Sequence, residues 1–409
     1  MVASTTPGWF RFALAWPLLG AMSSCHTQKP HPEILPQDAY VWQRSWTRSL
    51  REALSQSAPM VRAWRVLAAE TEARDGFLIT SADAQALAGV GRPVVAVMRI
   101  NGSRLPADVP ELSQRMSVLV SGWRTAGVQV AGIEIDYDCP SARLLQFGRF
   151  LKLFRAGAGG LPISVTAVPA WTASPDLSAV LAEVEETVLQ VHSILGPEHG
   201  LFDPARARQW VEDWSLRTST PFRVALPDYW SRVTWNRRGQ VTAVESEISR
   251  YGPLDGGKEL LVMPEDVGQF VRWVQGRGMA RLRGLVWFRL PTAGDRRTWS
   301  TATWHAVMEG QQIEPAAPVA FLKTAPGGAS DVYVGNRGEI DSRLPGLVEV
   351  VAQDRCAAAD SLPPYSLEWH GSRLLFRLKD PQMLEGKREI LIGWTRCASA
   401  QGAQVRERY

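Results

Sequence analysis

Glu134, Asp136 and Asp138 occupy alternate positions of a single run, residues 130–140 (VAGIEIDYDCP). Val130, Ile133 and Ile135 are β-branched and make the run a buried strand, which Pro140 ends. Side chains alternate across a strand, so the three carboxylates leave one face. Like charges about 7 Å apart raise one another's pKa, and poor solvation raises them further. A carboxyl that keeps its proton near neutral pH can act as a general acid, while an ionised neighbour serves as base or stabilises positive charge. The outer face of an edge strand also tolerates acids. The helical patterns at 121–127 and 142–154 place this strand instead in the middle of a parallel sheet.

Elements able to hold such a strand recur along the chain. Apolar runs fall at 39–43, 60–70, 94–100, 163–168, 188–193, 222–226 and 285–289, with the acidic strand, 130–138, as the fourth. Helices are predicted over 47–55, 83–87, 121–127, 142–155, 177–183, 204–216 and 264–276, with Asp203-Pro204 a strong helix start. Eight such units predict an α/β (β/α)8 TIM barrel over 39–314. A doubly wound sheet would carry a Gly-rich turn after its first strand, and none is present. Active sites of barrels lie at the C-terminal strand ends. Asp136 and Asp138 should therefore stand at the mouth. Glu70, Arg99, Gln190, His192, Asp228, Tyr229, Trp287 and Arg289 also fall at strand ends and are the candidate substrate-binding residues.

Composition narrows the function classes. The formal charge of +4 is dispersed, with no basic run dense enough for nucleic acid. Seventeen Trp residues are the outlier; indole rings fill cores and also stack on sugars. The first 25 residues form a targeting segment, with Arg11 before a short apolar core at 12–19 that cannot span a bilayer. Met22-Ser23-Ser24-Cys25 resembles the lipobox of bacterial lipoproteins, which implies lipidation of Cys25 and a membrane anchor; simple cleavage with a soluble product is the alternative. Residues 26–38, rich in Pro and polar groups, are expected to be a tether.

Residues 228–263 form an excursion after the seventh strand, with a hairpin expected at 232–244 around an Asn-Arg-Arg-Gly turn. Tyr229, Trp230 and Trp235 either wall a groove or pack the insertion onto the barrel. After a Pro-rich linker at 315–318, short alternating strands at 331–334, 347–351, 365–369, 373–378 and 389–394 predict a β-sandwich over 319–409. An oxidising compartment would let Cys356 and Cys397 pair, stabilising the small domain by roughly 4 kcal/mol. Cys139 is left as a packed thiol.

The strand Gly132 to Asp138 resembles the fourth-strand signature of the family 18 (chitinase-like) glycoside hydrolases, Asp-x-Asp-x-Glu after a Gly, whose last acid is the general acid. Ala225 to Tyr229, the insertion after strand seven and Trp287 on strand eight are further likenesses. The mature chain is also similar to a bacterial domain-of-unknown-function family that shares Val41-Trp42-Gln43-Arg44, the Glu-Ile-Asp-Tyr-Asp-Cys strand, Leu189 to His192, and Gly393, Trp394 and Cys397. Carried over position by position, the acid's place holds Asp138 and the first Asp's place holds Glu134. Asp is one methylene shorter than Glu, leaving an unchanged sugar pose about 1 Å out of reach, which can cost ~100-fold in rate. Chitinase activity as such is therefore not expected.

The expectation is an exported lipoprotein of the cell envelope, acting on an envelope or extracellular polysaccharide. Asp138 would be the general acid, Asp136 its proton-holding neighbour and Glu134 a support. The second carboxylate would be Glu70 or Asp228, unless the sugar's own acetamido group serves. A barrel that binds glycan without cutting it, as receptor or assembly factor, is the alternative. No cofactor is expected. A metal held by Glu134, Asp136, Asp138 and His192 is a remote third possibility, because the ligand spacing is not compact.

Overall fold

The computed structural model describes residues 1–4, 8, 34–72, 76–194, 200–246, 257–353, 355–397 and 400–406. The chain divides into two units, Met1–Glu33 and Ile34–Tyr409, and the second carries all the architecture below. Met22 to Cys25, with the lipobox reading, lie outside the described residues.

Eight parallel strands close on themselves: β1 (Gln37–Val41), β2 (Ala63–Glu72), β3 (Val94–Ile100), β4 (Val130–Asp136), β5 (Ile163–Ala167), β6 (Glu186–Gln190), β7 (Phe222–Pro227) and β8 (Leu282–Phe288). Each pairs in parallel with the next, and β1 joins both β2 and β8, so the sheet has the closure of a TIM barrel. Closure requires a tight fit at β8. There Gly284 has φ +151°, and a Cβ on it would meet the carbonyl of Pro36 at 2.1 Å and Arg223 at 2.3 Å.

Helices coat the barrel, and their starts are written in local chemistry. Asp203 accepts from the amides of Ala205 and Arg206 at the head of Pro204–Arg217. Thr47, Asp83, Asp108 and Ser300 cap four others in the same way. The main core lies between strands and helices and includes Trp64, Trp171, Trp214, Trp287, Trp299 and Trp304. A second apolar layer, Tyr40, Val97, Val188, Ala225 and Val286, fills the barrel's interior.

Beneath that layer the interior is ionic. Arg65, 1% exposed, pairs with Asp38 at 3.1 Å, with Glu186 at 2.6 Å and with Glu134. Arg223 bonds Glu186 at 2.9 Å, and Arg62 bonds Asp38 at 2.7 Å. A buried charge is tolerable only when paired and hydrogen-bonded, and each of these is.

The excursion after β7 holds the expected hairpin, Ser231–Trp235 with Val241–Glu245, and a third strand, Lys258–Leu260. The C-terminal region is two four-stranded sheets and a two-stranded one, around Val332, Val350, Tyr365, Phe376 and Ile392. Cys356 and Cys397 form a disulfide there. Asp341 fixes this region to the barrel: its carboxylate accepts from the amide and hydroxyl of Ser300, both at 2.7 Å, at the N-terminus of helix Thr301–Met308.

Candidate functional site

At the C-terminal ends of the strands a cavity of about 750 Å³ opens, lined by residues from all eight strands or the loops that follow them, and by the hairpin. β1 supplies Tyr40 and, just beyond its end, Trp42 and Arg44; β2 supplies Glu70; β3 supplies Arg99 and, beyond it, Asn101. β4 supplies Asp136 and Asp138, β6 Gln190 and His192, and β8 Phe288 and Arg289. The hairpin closes one side with Val244, Glu245 and Ser246.

The two mouth acids share one guanidinium. Arg99 places Nη1 2.9 Å from Oδ2 of Asp136 and Nη2 2.6 Å from Oδ2 of Asp138. Asp138 is about half exposed, whereas Asp136 is buried. Burial pushes the Asp136 carboxyl up to about 6; Arg99 opposes the rise, while Asp138 and Glu134 add to it. It is thus Asp136, the inner acid, that holds a proton closest to neutrality. Glu70 is the opposite case. Both its oxygens accept from Arg44 at 2.7 Å, which holds it below the usual carboxylate range.

Glu134 lies deeper than the cavity. Tyr40 donates its hydroxyl to it, Arg65 donates from Nη1, and Ser164 and Thr166 approach at 3.4 and 3.3 Å. A side chain two positions down the strand sits one layer lower, and there the interior is sealed. Glu134 therefore reaches the cavity only through Tyr40 and Thr166, which line it.

Of the other residues expected at the site, Glu70, Arg99, Gln190, His192, Tyr229 and Arg289 line the cavity. Two are placed elsewhere. Trp287 points into the helix layer, packs against Trp299 and Trp304, and donates to Gln37 at 2.6 Å. Asp228 is wholly buried, with neither carboxylate oxygen hydrogen-bonded, and burial raises its pKa well above the ordinary value. His192, also buried, is lowered to about 4 and so stays neutral. Cys139 is a buried free thiol, raised by burial to about 11, as fits a packing role.

Of the aromatic wall, the sequence marks only Tyr229 as a site residue. Trp42 and Phe288 lie 5.1 Å apart, Tyr40 and Phe288 5.5 Å, and Tyr229 and Phe288 5.4 Å, with His192 edge-on to Tyr229. Phe288 was discoverable, because it neighbours Trp287 and so faces the opposite side of the same strand. Among the described residues no group of His, Cys, Asp and Glu is arranged to hold a metal ion. Nor is any helix among them long and apolar enough to cross a membrane.

This barrel and its appended sheets match family models. Residues 90–293 match a domain of unknown function, DUF3142. That stretch runs from β3 to just beyond β8 and includes the acidic strand and the hairpin. Residues 320–398 match a second domain of unknown function, DUF8456, which spans most of the sandwich. No curated protein matches the chain. Among solved structures, a chitinase from Chromobacterium violaceum ATCC 12472 is 15% identical, covering 68% of this chain and 98% of its own, with a TM-score of 0.46. The spore cortex-lytic enzyme SleL of Bacillus cereus is 13% identical, with coverages of 69% and 76% and a TM-score of 0.45. A xylanase and alpha-amylase inhibitor protein from Scadoxus multiflorus is 12% identical, with coverages of 68% and 99% and a TM-score of 0.43. The closed parallel sheet, rather than these distant likenesses, defines the fold.

Proposed function

We propose that the chain is an exported, glycan-active barrel whose mouth cavity binds and hydrolyses an envelope or extracellular polysaccharide. The observation that carries this reading is the pairing, in one cavity of about 750 Å³, of an aromatic wall with a proton-holding carboxyl pair. Aromatic faces suit the apolar faces of sugar rings. Glycosidic cleavage needs one carboxyl that gives a proton and a second that stays ionised. Asp138, half exposed, is the acid that reaches the glycosidic oxygen. Asp136, behind it, holds a proton near neutral pH and so leaves Arg99 to position Asp138, which recovers its proton from solvent after each transfer. Glu70, kept ionised by Arg44, is the second carboxylate. Asp228 lies outside the cavity lining, wholly buried, so it does not serve.

Asp138→Asn tests this. Turnover of a responsive glycan, followed by product chromatography, should fall ~100-fold or more while the melting temperature stays nearly constant. Undiminished cleavage would overturn the assignment of Asp138. One observation favours a non-catalytic receptor instead: Arg99 engages both mouth acids at once, as a fixed binding platform would require. Calorimetric titration against a glycan panel, with product analysis of the same mixtures, separates the two; binding without products selects the receptor.

Export through Cys25 belongs to the same proposal, supported by the lipobox-like Met22 to Cys25 and by the disulfide of the C-terminal sheets. Cys25→Ser should shift the protein from the detergent phase to the aqueous phase, or stall its processing. Unchanged partitioning would exclude the anchor.

A further inference from the structure

The charges lining the mouth cavity are unequally committed. Among the described residues three guanidinium groups line it, and each is already met by carboxylate: Arg44 by Glu70, Arg99 by Asp136 and Asp138, and Arg289 by Asp295. Four carboxylates line it: Glu70, Asp136, Asp138 and Glu245. Asp136 and Asp138 must divide one cation between them. Glu245 has Arg297 only at 3.7 Å, and that arginine bonds Glu259 more closely, at 2.9 Å. Among the described residues an acidic sugar would thus find no uncommitted guanidinium here, and its own charge would meet half-exposed Asp138 and weakly held Glu245. A cationic group finds the reverse. It also finds the rings of Tyr40, Trp42, Tyr229 and Phe288, whose faces attract cations.

We infer that the saccharide taken by this cavity carries a protonated amino group, which makes its class a de-N-acetylated hexosamine oligomer rather than a neutral or acidic one. The inference rests on the glycan reading above and narrows it. The ammonium sits against Asp138, which is half exposed and shares Arg99 with Asp136, and against Glu245, from which Arg297 stands off at 3.7 Å. Carbonyl oxygens of acetylated sugars would add a dipole with no uncommitted charged donor to receive it.

The test is calorimetric titration of the full chain, near neutral pH and at low salt, with oligomers of equal length. They are glucosamine, N-acetylglucosamine and alternating glucuronate–N-acetylglucosamine oligomers. The glucosamine oligomer should bind at least about tenfold more tightly than the other two, which one favourable charge contact in a partly desolvated site can supply, and its lead should shrink as salt is raised. Asp138→Asn and Glu245→Gln should each move the ratio of the amino and acetylated affinities toward one. An unchanged melting temperature shows that the variants fold. Equal or tighter binding of the acetylated or the acidic oligomer overturns the inference and leaves the glycan reading standing. Failure of every oligomer, and of the wider glycan panel as well, overturns the glycan reading itself.

Discussion

Arg99 reaches Asp136 at 2.9 Å and yet does not keep that carboxyl in the ordinary acid range. Burial outweighs the ion pair because the same guanidinium is also spent on Asp138. The folded pKa, about 6, lies above the usual 3.8, so the folded chain binds more protons between those values. Stability from this group is complete below about pH 4 and is lost as pH rises through about 6, amounting to about 3 kcal/mol. Asp136→Asn, which cannot titrate, should lack that decline. Melting temperatures of both proteins across this range give the difference curve; parallel curves would refute the assignment.

Glu134 should matter for folding rather than for ligand contact. Glu134→Leu takes one of Arg65's three carboxylate partners and leaves the buried Tyr40 hydroxyl without its acceptor, and should cost about 3 kcal/mol. Asp138→Asn, at an exposed ion pair, should cost less than about 1 kcal/mol. Urea unfolding of the two variants measures both. Similar losses would mean that Glu134 is not the structural member of the three.

Reading eight strands from the sequence succeeded where pattern alone decides the matter. Val94–Ile100 and the start of the acidic strand are continuous apolar runs, as a strand buried on both faces requires. The first strand begins two residues earlier than its pattern indicated, at Gln37, because Asp38 is buried by three arginines that are distant in sequence. No local signal could show that pairing. The hairpin strand Gly76–Ile79 and helix Thr301–Met308 were likewise missed, the latter because its N-terminal turn is completed by Asp341 from another region. At the site, acids at alternate positions were legible, but their depth was not. Glu134 and Asp138 differ by two layers, and only the closed barrel turns that into burial against exposure.

The disulfide should act locally. Replacing Cys356 and Cys397 with Ser should loosen the sandwich by on the order of 2–5 kcal/mol and leave the barrel's secondary structure intact. Thiol labelling gives a companion readout. Native protein should resist reagent at all three described cysteines, unfolding should expose Cys139, and only reduction should free the other two.

Asp341→Ala should release the amide and hydroxyl of Ser300 and weaken the start of helix Thr301–Met308. The loss should be about 1–2 kcal/mol, with faster proteolysis between the barrel and the sandwich. An unchanged cleavage rate would argue that Asp341 does not fasten the two regions.

That junction also sets how portable the barrel is. Asp295, the partner of Arg289 in the mouth, lines a cleft of about 560 Å³ that the sandwich completes with Asp341, Gln382, Met383, Glu385 and Arg388. Mouth and sandwich are thus separated by the thickness of one ion pair. A chain cut before Val319 would bare a helix end and loosen the loop that carries Asp295, and with it the set of Arg289. Recombination could not exchange the sandwich freely. Any replacement would have to bring its own acid to Ser300.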